Sequence, residues 1–351
     1  MNNFINSSTF NTRFSEILAH SKQILLTTHK MPDDDAISSL LTTYELCKDT
    51  YPQKQFTMAI EGSFHNRWEN FQFYEQIIYT SNLSTQLANK DCLIFLDCNQ
   101  YNRFTHEIES VTQFTGKKIC IDHHKSIADQ TDLIYLNPEA VANAYNVYDL
   151  FIKSVERPLT TSLATNLLLG IVGDTGNFKF IPPSQASVFS LVEKLITTAN
   201  INLQTFLQYQ TYNQPTINTY KQLIQNHQVI TIAPWPSFAC TFLSNEYLSQ
   251  HQISDIEANE AIHLYANDFS RLQQDVFWSF AIYAKPTGEI KISARSLPGS
   301  INVRKLMETL KIGSGHDRAA GGKWPLESGA SAENKRDEVI AWVGQNPPLF
   351  D

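Results

Sequence analysis

Four segments of this sequence close a run of apolar residues with side chains that bind metals or carry protons. Ile24–Thr28 (ILLTT) is followed by His29-Lys30-Met31-Pro32-Asp33-Asp34-Asp35, and Cys92–Leu96 (CLIFL) by Asp97. Lys118–Ile121 runs into Asp122-His123-His124, and the apolar stretch Thr160–Val172 into Gly173-Asp174-Thr175-Gly176. His29, Asp33, Asp35, Asp97, His123 and Asp174 together offer carboxylate oxygen and imidazole nitrogen. That mixture suits Mn²⁺, Mg²⁺ or Zn²⁺ rather than a thiolate-bound ion. Six such ligands are too many for one catalytic ion that must keep a position open. They suit a pair of ions clamping both oxygens of an in-line phosphoryl displacement. Each piece alone has a plainer reading. Aspartates beside a proline commonly cap a helix and complement its dipole, and Asp97 or Asp174 alone could serve a turn. The metal reading gains because all four segments share one predicted edge. His20, His65, His106, His227, His251 and His263 lack such a setting and read as surface or packed residues.

The shared edge follows from the elements. Ile24–Thr28, Cys92–Leu96, Lys118–Ile121 and Leu133–Leu136 read as buried strands. Asp35–Cys47 has Ile37, Leu40, Leu41 and Tyr44 at helical spacing, and Thr160–Val172 reads as a mostly buried helix. Alternating strands and helices predict a largely parallel α/β sheet, whose C-terminal strand ends face a common crevice. Ser184–Asn200 reads as a helix. The polar segment Gln210–Asn218, with Pro215, reads as a linker. Beyond it the pattern is that of a smaller α+β domain. Strands are expected at Gln228–Ile232, Phe238–Phe242, Val276–Tyr283 and Glu289–Ser296, the last two joined by the turn Lys285-Pro286-Thr287-Gly288. Helices are expected at Ile256–Asp268, Val303–Leu310 and Lys335–Val343.

Taken in order, H-x-x-P-D-x-D, a strand-end D, D-H-H and G-x-x-x-D-T-G resemble the DHH phosphoesterases, the superfamily of the RecJ nucleases. The resemblance continues in the second half. Ser293-Ala294-Arg295-Ser296 and Ile312-Gly313-Ser314-Gly315-His316-Asp317-Arg318-Ala319-Ala320-Gly321 resemble the S-x-R-S and G-G-G-H-x-x-A-A-G motifs of the type-1 DHH-associated C-terminal domain. It spans about residues 20 to 325 and is nearest to the NrnA group, which degrades nanoRNA and 3′-phosphoadenosine 5′-phosphate (pAp).

The resemblance implies a DHH catalytic domain over residues 1–209, a linker over 210–218 and a substrate-binding domain over 219–351, with a catalytic cleft between the two domains. It implies one ion held by His29, Asp33 and Asp97, and a second held by Asp35, Asp97, His123 and Asp174. Asp122 would orient an imidazole, and His124 would reach the phosphate. Manganese is the usual family ion, with magnesium as the alternative, and hydroxide attack between two metals is the implied chemistry. Arg295, Ser296, Gly313, Gly315, His316 and Arg318 would bind substrate: glycines admit backbone N–H groups close to phosphate, and the cations add charge-assisted hydrogen bonds. A tight turn and an exposed strand arginine are the plainer reading of the same residues. The sequence departs from the family at Met31 (often Asn), Asp34 (commonly Gly), Ile312, Ser314, Asn143 and Asn146.

The expected activity is hydrolysis of short oligonucleotides, dinucleotides or pAp. A cyclic- or linear-dinucleotide phosphodiesterase, a RecJ-like single-strand exonuclease and a catalytically silent nucleotide-binding module are the alternatives. A pyrophosphatase would carry a different C-terminal domain. The 351 residues suffice for two domains, and 42% hydrophobic against 18% charged residues is globular composition. The net charge of −8 argues against tracking long or duplex nucleic acid. Part of that charge belongs to the aspartates two divalent ions would offset. Five scattered cysteines form no disulfide framework, and the N-terminus MNNFINSSTF has no signal-peptide pattern. No apolar run approaches the ~20 residues of a membrane helix. A cytoplasmic enzyme acting on small nucleotides is expected, and the resemblance makes a homodimer its plausible assembly.

Overall fold

In a computed structural model of the chain, residues 5–63, 66–125, 128–285, 289–324 and 330–350 are described. His65 and Pro286-Thr287-Gly288 of the expected turn lie outside this set. The chain divides into two units, Met1–Thr211 and Tyr212–Asp351.

The apolar runs of the first unit are buried on both faces, as a parallel sheet covered by helices requires. β1 (Gln23–Thr28), β2 (Gln55–Glu61), β3 (Ile77–Thr80), β4 (Cys92–Leu96), β5 (Lys117–Asp122) and β6 (Leu133–Leu136) form a parallel sheet in the order β3-β2-β1-β4-β5-β6. Side chains alternate between faces. Ile24, Leu26, Ile94, Ile119 and Ile121 join one core, packed by the helices Asp34–Thr50 and Thr161–Asp174. Leu25, Leu93, Phe95 and Cys120 join another. From β1 the chain first builds outward to β2 and β3, then returns to the other side of β1 with β4. The crevice outside such a reversal, at the carboxyl ends of the flanking strands, is where open α/β sheets bind ligands. Here the flanking strands are β1 and β4, the two that end in His29 and Asp97.

The second unit has a mixed sheet in the order β11-β12-β10-β9-β8-β7. Its strands are β7 (Gln228–Ile230), β8 (Phe238–Leu243), β9 (Trp278–Ala284), β10 (Ile290–Ser296), β11 (Gly313–His316) and β12 (Ala319–Trp324). Only β8 and β9 pair in parallel among these described strands. β9 and β10 form the expected hairpin, closed by Lys285 N–H donating to the Glu289 carbonyl at 2.7 Å. Phe238, Trp278, Phe280 and Ile292 pack one face against the helices Val303–Thr309 and Ala332–Gln345. The polar stretch Gln210–Asn218, expected as linker, contributes its latter half to the helix Gln214–Gln225. Asn213 caps it, its side chain accepting from Thr216 N–H, and Pro215 lies in the first turn. All five cysteines are buried thiols. Among the described residues no helix is long and apolar enough to cross a membrane.

Candidate metal centre

Thr28 of β1 and Leu96 of β4 are register partners, so the next residues, His29 and Asp97, leave the sheet side by side. His29 Nε2 lies 3.5 Å from Asp97 Oδ2 and 3.9 Å from Asp33 Oδ1. Asp33 is also the N-cap of the helix Asp34–Thr50, accepting from Ala36 N–H at 3.0 Å. Capping and ligand placement are therefore compatible uses of one carboxylate. Asp97 takes a left-handed backbone conformation, φ +57°. An L side chain rarely adopts it outside sites where the surroundings impose it. Its N–H donates to the Ile121 carbonyl of β5 at 3.0 Å, which ties it to the strand carrying the Asp-His-His run.

The other oxygen of Asp97 faces that run. Asp97 Oδ1 is 3.4 Å from His123 Nε2 and 3.6 Å from His124 Nδ1. His123 Nε2 is also 3.4 Å from Asp174 Oδ2 and 3.8 Å from Asp35 Oδ2. Its ring is oriented by Nδ1, 3.3 Å from the Ala140 carbonyl. Asp122, fully buried, accepts at Oδ1 from His123 N–H, His124 N–H and His124 Nδ1, at 2.7, 3.2 and 2.7 Å. The structure thus brings all six expected ligands and the Asp122–His124 pair to one place. The sets His29, Asp33, Asp97 and Asp35, Asp97, His123 each offer ligand atoms within 4.8 Å of one another. Asp97 belongs to both.

Asp35 is held by groups that no residue type announces. The short helix Asn143–Tyr148 begins over it, donating Asn143 N–H to Oδ2 at 2.5 Å and Ala144 N–H to Oδ1 at 2.8 Å. Asn143 Nδ2 donates to Ser39 Oγ and Asn146 Nδ2 to the Asp122 carbonyl. The two asparagines therefore brace both acidic segments. From the other side the helix Thr161–Asp174 approaches so closely that a Cβ at Gly170 would lie 2.7 Å from Asp35 Oδ1.

The electrostatics are those of a site short of positive charge. Burial drives the Asp35 carboxyl well above the usual range, and Asp97 and Asp174 push it further. Burial, against the opposing His123 and with Asp33 and Asp97 adding to it, brings Asp174 to about 7. For Asp97, burial is outweighed by the imidazoles of His123, His29 and His124, which hold it well below the usual range. His123 is likewise raised in spite of burial, chiefly by Asp174 and Asp97. His29 Nε2 and Asp97 Oδ1 are buried with no hydrogen-bond partner. Buried polar atoms are seldom left so unless an ion or water completes them. Orphaned ligand atoms, clustered carboxylates and neutralising imidazoles fit divalent cations.

Comparison with known proteins agrees with this geometry. Residues 23–171 match the DHH family, N-terminal domain, a span running from β1 through most of the helix that ends in Asp174. The first unit carries a DHH family domain. The cyclic-di-AMP phosphodiesterase PdeA of Listeria monocytogenes is 25% identical over 315 residues, 86% of this chain and 44% of that protein. This chain therefore spans less than half of that relative. The bifunctional oligoribonuclease and PAP phosphatase NrnA of Bacillus subtilis is 25% identical over 328 residues, 91% of this chain and 92% of that protein. In fold, an exopolyphosphatase-related protein from Bacteroides fragilis superposes with a TM-score of 0.79 at 19% identity, covering 98% of both chains.

Asp34, where DHH sequences commonly have glycine, turns away from the ligands. Arg67 and Trp68 Nε1 donate to Oδ1, the latter at 2.9 Å, and Tyr209 OH donates to Oδ2 at 2.9 Å. Gly173 makes room for it, since a Cβ there would meet Asp34 Cβ at 2.4 Å. Asp34 is buried and anchors the acidic loop to two distant segments.

In the second unit the motif residues lie around β10, β11 and β12. Arg295 Nε donates to Asn267 Oδ1, and one terminal nitrogen donates to Ser293 Oγ and the Ala294 carbonyl. Burial, with Arg271 adding like charge, brings its guanidinium down to about 10. Ser296 is buried beside it, and His316 is exposed at the end of β11. Gly313 and Gly315 face Gly322 and Ala320 across the hairpin. A Cβ at Gly313 would sit 2.0 Å from the Gly321 carbonyl oxygen. Cross-strand packing alone therefore demands that glycine. Arg318 donates to the Ser300 and Ile301 carbonyls, an intramolecular role.

Proposed function

We propose that this chain is a metal-dependent phosphoesterase that hydrolyses short oligonucleotides and pAp. The observation that carries the reading is the double placement of Asp97, with one carboxylate oxygen toward His29 and the other toward His123 and His124. Such a carboxylate suits a pair of ions sharing it. His29, Asp33 and Asp97 would hold one ion and Asp35, Asp97, His123 and Asp174 the other, manganese first and magnesium as the alternative. When bound, the ions supply Lewis-acid stabilisation of the phosphoryl oxygens and an acidified water.

The chain's own groups then orient and neutralise. Asp122 accepts from His124 Nδ1, so the opposite ring nitrogen is the one that meets solvent or phosphate. Asp122, outweighing burial, keeps that imidazole above its ordinary pKa. His124 is therefore suited to donate to a phosphoryl or leaving-group oxygen. Arg295, Ser296, Gly313, Gly315 and His316 would hold the distal part of the substrate, with Arg295, whose hydrogen bonds run to the Asn267 amide oxygen, the Ser293 hydroxyl and the Ala294 carbonyl, supplying positive charge. Arg318 is the weakest of this set because its guanidinium already serves two carbonyls.

A second reading, cyclic- or linear-dinucleotide phosphodiesterase, has support in the likeness to PdeA, at the same 25% identity as that to NrnA. A Mn²⁺-supplemented panel separates them: pAp, dinucleotides, a five-mer, a long single strand and a cyclic dinucleotide. Turnover that falls off beyond about five nucleotides supports the first reading, where net charge disfavours a long polyanion. Exclusive turnover of the cyclic dinucleotide supports the second, and efficient digestion of the long strand refutes both.

A further inference from the structure

The first unit also contains a cavity of about 390 Å³ whose described walls include none of the six expected metal ligands. Ligand pockets run from ~300 to 1,000 Å³, so it has room for a small organic molecule. Two stretches of chain line it. The helix Asn143–Tyr148, whose first N–H groups hold Asp35, delivers Tyr148 at its far end, and the segment that continues it delivers Ile152, Lys153 and Arg157. The helix Val188–Ala199 delivers Lys194 and Thr198, four residues apart and so on one face.

The first stretch departs from regular helix where it meets the cavity. Asp149–Lys153 is a single π-helical turn. Ser154 N–H donates to the Asp149 carbonyl at 3.1 Å and Arg157 N–H to the Ile152 carbonyl at 2.9 Å, each reaching five residues back. Glu156 then takes a left-handed backbone conformation, φ +53°. Widened turns and left-handed residues other than glycine are uncommon and gather at functional sites. Here they deliver Lys153 and Arg157 to the same cavity.

The charge of the walls is opposite to that of the chain. The whole sequence carries −8, yet Lys153, Arg157 and Lys194 line the cavity against the carboxylate of Glu156. Lys153 is paired with Asp149 at 3.2 Å. Neither Lys194 nor Arg157 has a carboxylate partner among the described residues. The Lys194 ammonium stands 6.0 Å from the centroid of the Tyr148 ring, and a terminal nitrogen of Arg157 donates to Thr50 Oγ1 at 2.5 Å. That one contact leaves most of the guanidinium fork to a ligand. The remaining wall is largely apolar, from buried Tyr148 and Ile152 to Pro158 and Leu159. Cations gathered beside low-dielectric walls concentrate their field on an anion. A guanidinium fork with two ammonium groups suits the several oxygens of a phosphate better than a lone carboxylate. The apolar wall suits a body attached to that phosphate.

We propose that this cavity is an accessory site for a small phosphomonoester with an apolar or aromatic body, held by Arg157 and Lys194 with Lys153. The site is separate from the metal centre and does not rest on the phosphoesterase reading.

Phenylphosphonate is the probe, a phosphoryl anion on an aromatic ring with no ester to hydrolyse. The full chain is titrated calorimetrically with Mn²⁺ present and again with a chelator in its place. The metal centre can also take a phosphonate, and only the cavity keeps its ligand after chelation. One phenylphosphonate per chain is expected to bind in chelator. Arg157→Gln and Lys194→Gln are each expected to weaken it ~10- to 100-fold, the value of a charge-assisted hydrogen bond. Lys22→Gln, at an exposed lysine outside the cavity, is expected to leave it unchanged. Inorganic phosphate, lacking the ring, and benzoate, lacking the phosphoryl oxygens, are each expected to bind at least ~5-fold more weakly. No binding in chelator, unchanged affinity in either cavity variant, or an equal loss in Lys22→Gln would overturn the site. Phosphate or benzoate bound as tightly as phenylphosphonate would overturn the ligand class. Arg157→Gln also removes the Thr50 contact; should that variant fail to fold, the Lys194→Gln titration decides.

Discussion

Replacing Gly170 by alanine sets two well-characterised effects against each other. Gly170 lies inside the helix Thr161–Asp174, where alanine is ordinarily better by ~1 kcal/mol. In this helix the new Cβ would stand 2.6 Å from Ala144 Cβ, 2.7 Å from Asp35 Oδ1 and 2.7 Å from Ser38 Oγ. All three neighbours are buried or pinned. Asp35 receives two backbone N–H groups, and Ser38 Oγ donates to the Asn166 carbonyl. Overpacking of this kind costs ~1–3 kcal/mol, and displacing Asp35 from its two donors adds ~1 kcal/mol for each weakened bond. The clash therefore wins, for a net loss of ~2–4 kcal/mol. A moved Asp35 should also weaken Mn²⁺ binding. Gly344, in the helix Ala332–Gln345 with nothing within 4 Å of its added Cβ, is the control. Alanine there should raise stability by a few tenths of a kcal/mol. Urea unfolding of the metal-free proteins and calorimetric Mn²⁺ titration measure both effects. A Gly170→Ala protein as stable as wild type, with unchanged Mn²⁺ affinity, would refute the account of how Asp35 is held.

Three further outcomes are expected. Asp122→Asn should lower kcat or metal affinity ~10- to 100-fold through misorientation of His124, without measurable unfolding by circular dichroism. Asp34→Ala takes from Arg67, Trp68 and Tyr209 a shared acceptor and should cost ~2–4 kcal/mol in a denaturant titration, with Asp34→Asn costing less. Glu61, buried, accepts from Leu83 N–H, Thr105 Oγ1 and His106 through its N–H and Nδ1. Burial pushes its pKa up, but these four bonds hold it below the ordinary 4.5. Its stabilising effect is thus complete above about pH 4.5 and lost as pH falls through the depressed folded value. Glu61→Gln should remove that part of the acid slope, so an identical slope in wild type and mutant urea midpoints would exclude Glu61 as its source.

The candidate site was legible because a doubly covered parallel sheet writes its strands as unbroken apolar runs, and three of those runs, with one buried helix, stop abruptly at an acid or a histidine. The order of four such stops contains the site. What sequence could not supply are groups whose role depends on backbone or distance. The Asn143 and Ala144 N–H groups that hold Asp35 would be present with almost any residue at those positions. Asp34 stands out in the sequence only as a departure from the glycine common in the family. Its partners Arg67, Trp68 and Tyr209 lie 33, 34 and 175 residues away in the chain, and no local pattern links them. β2 and β3 were missed: Gln55–Glu61 starts exposed and polar, and Ile77–Thr80 is only four residues long. Pro215 read as a break, yet it sits in a helix's first turn, where its missing N–H would have no partner anyway. Gly313 shows the opposite difficulty. Its type suits both a phosphate cradle and a close strand pairing, and the structure requires the second.

The claim on which the rest depends is that Asp97 is shared by two ions. Calorimetric titration of metal-free protein with Mn²⁺ addresses it directly, comparing wild type with Asp97→Asn, whose side chain keeps the left-handed backbone accessible. Two ions per chain are predicted for wild type, with both sites weakened together in the mutant. A single ion in wild type, or two ions bound undiminished by Asp97→Asn, would contradict the shared-carboxylate account.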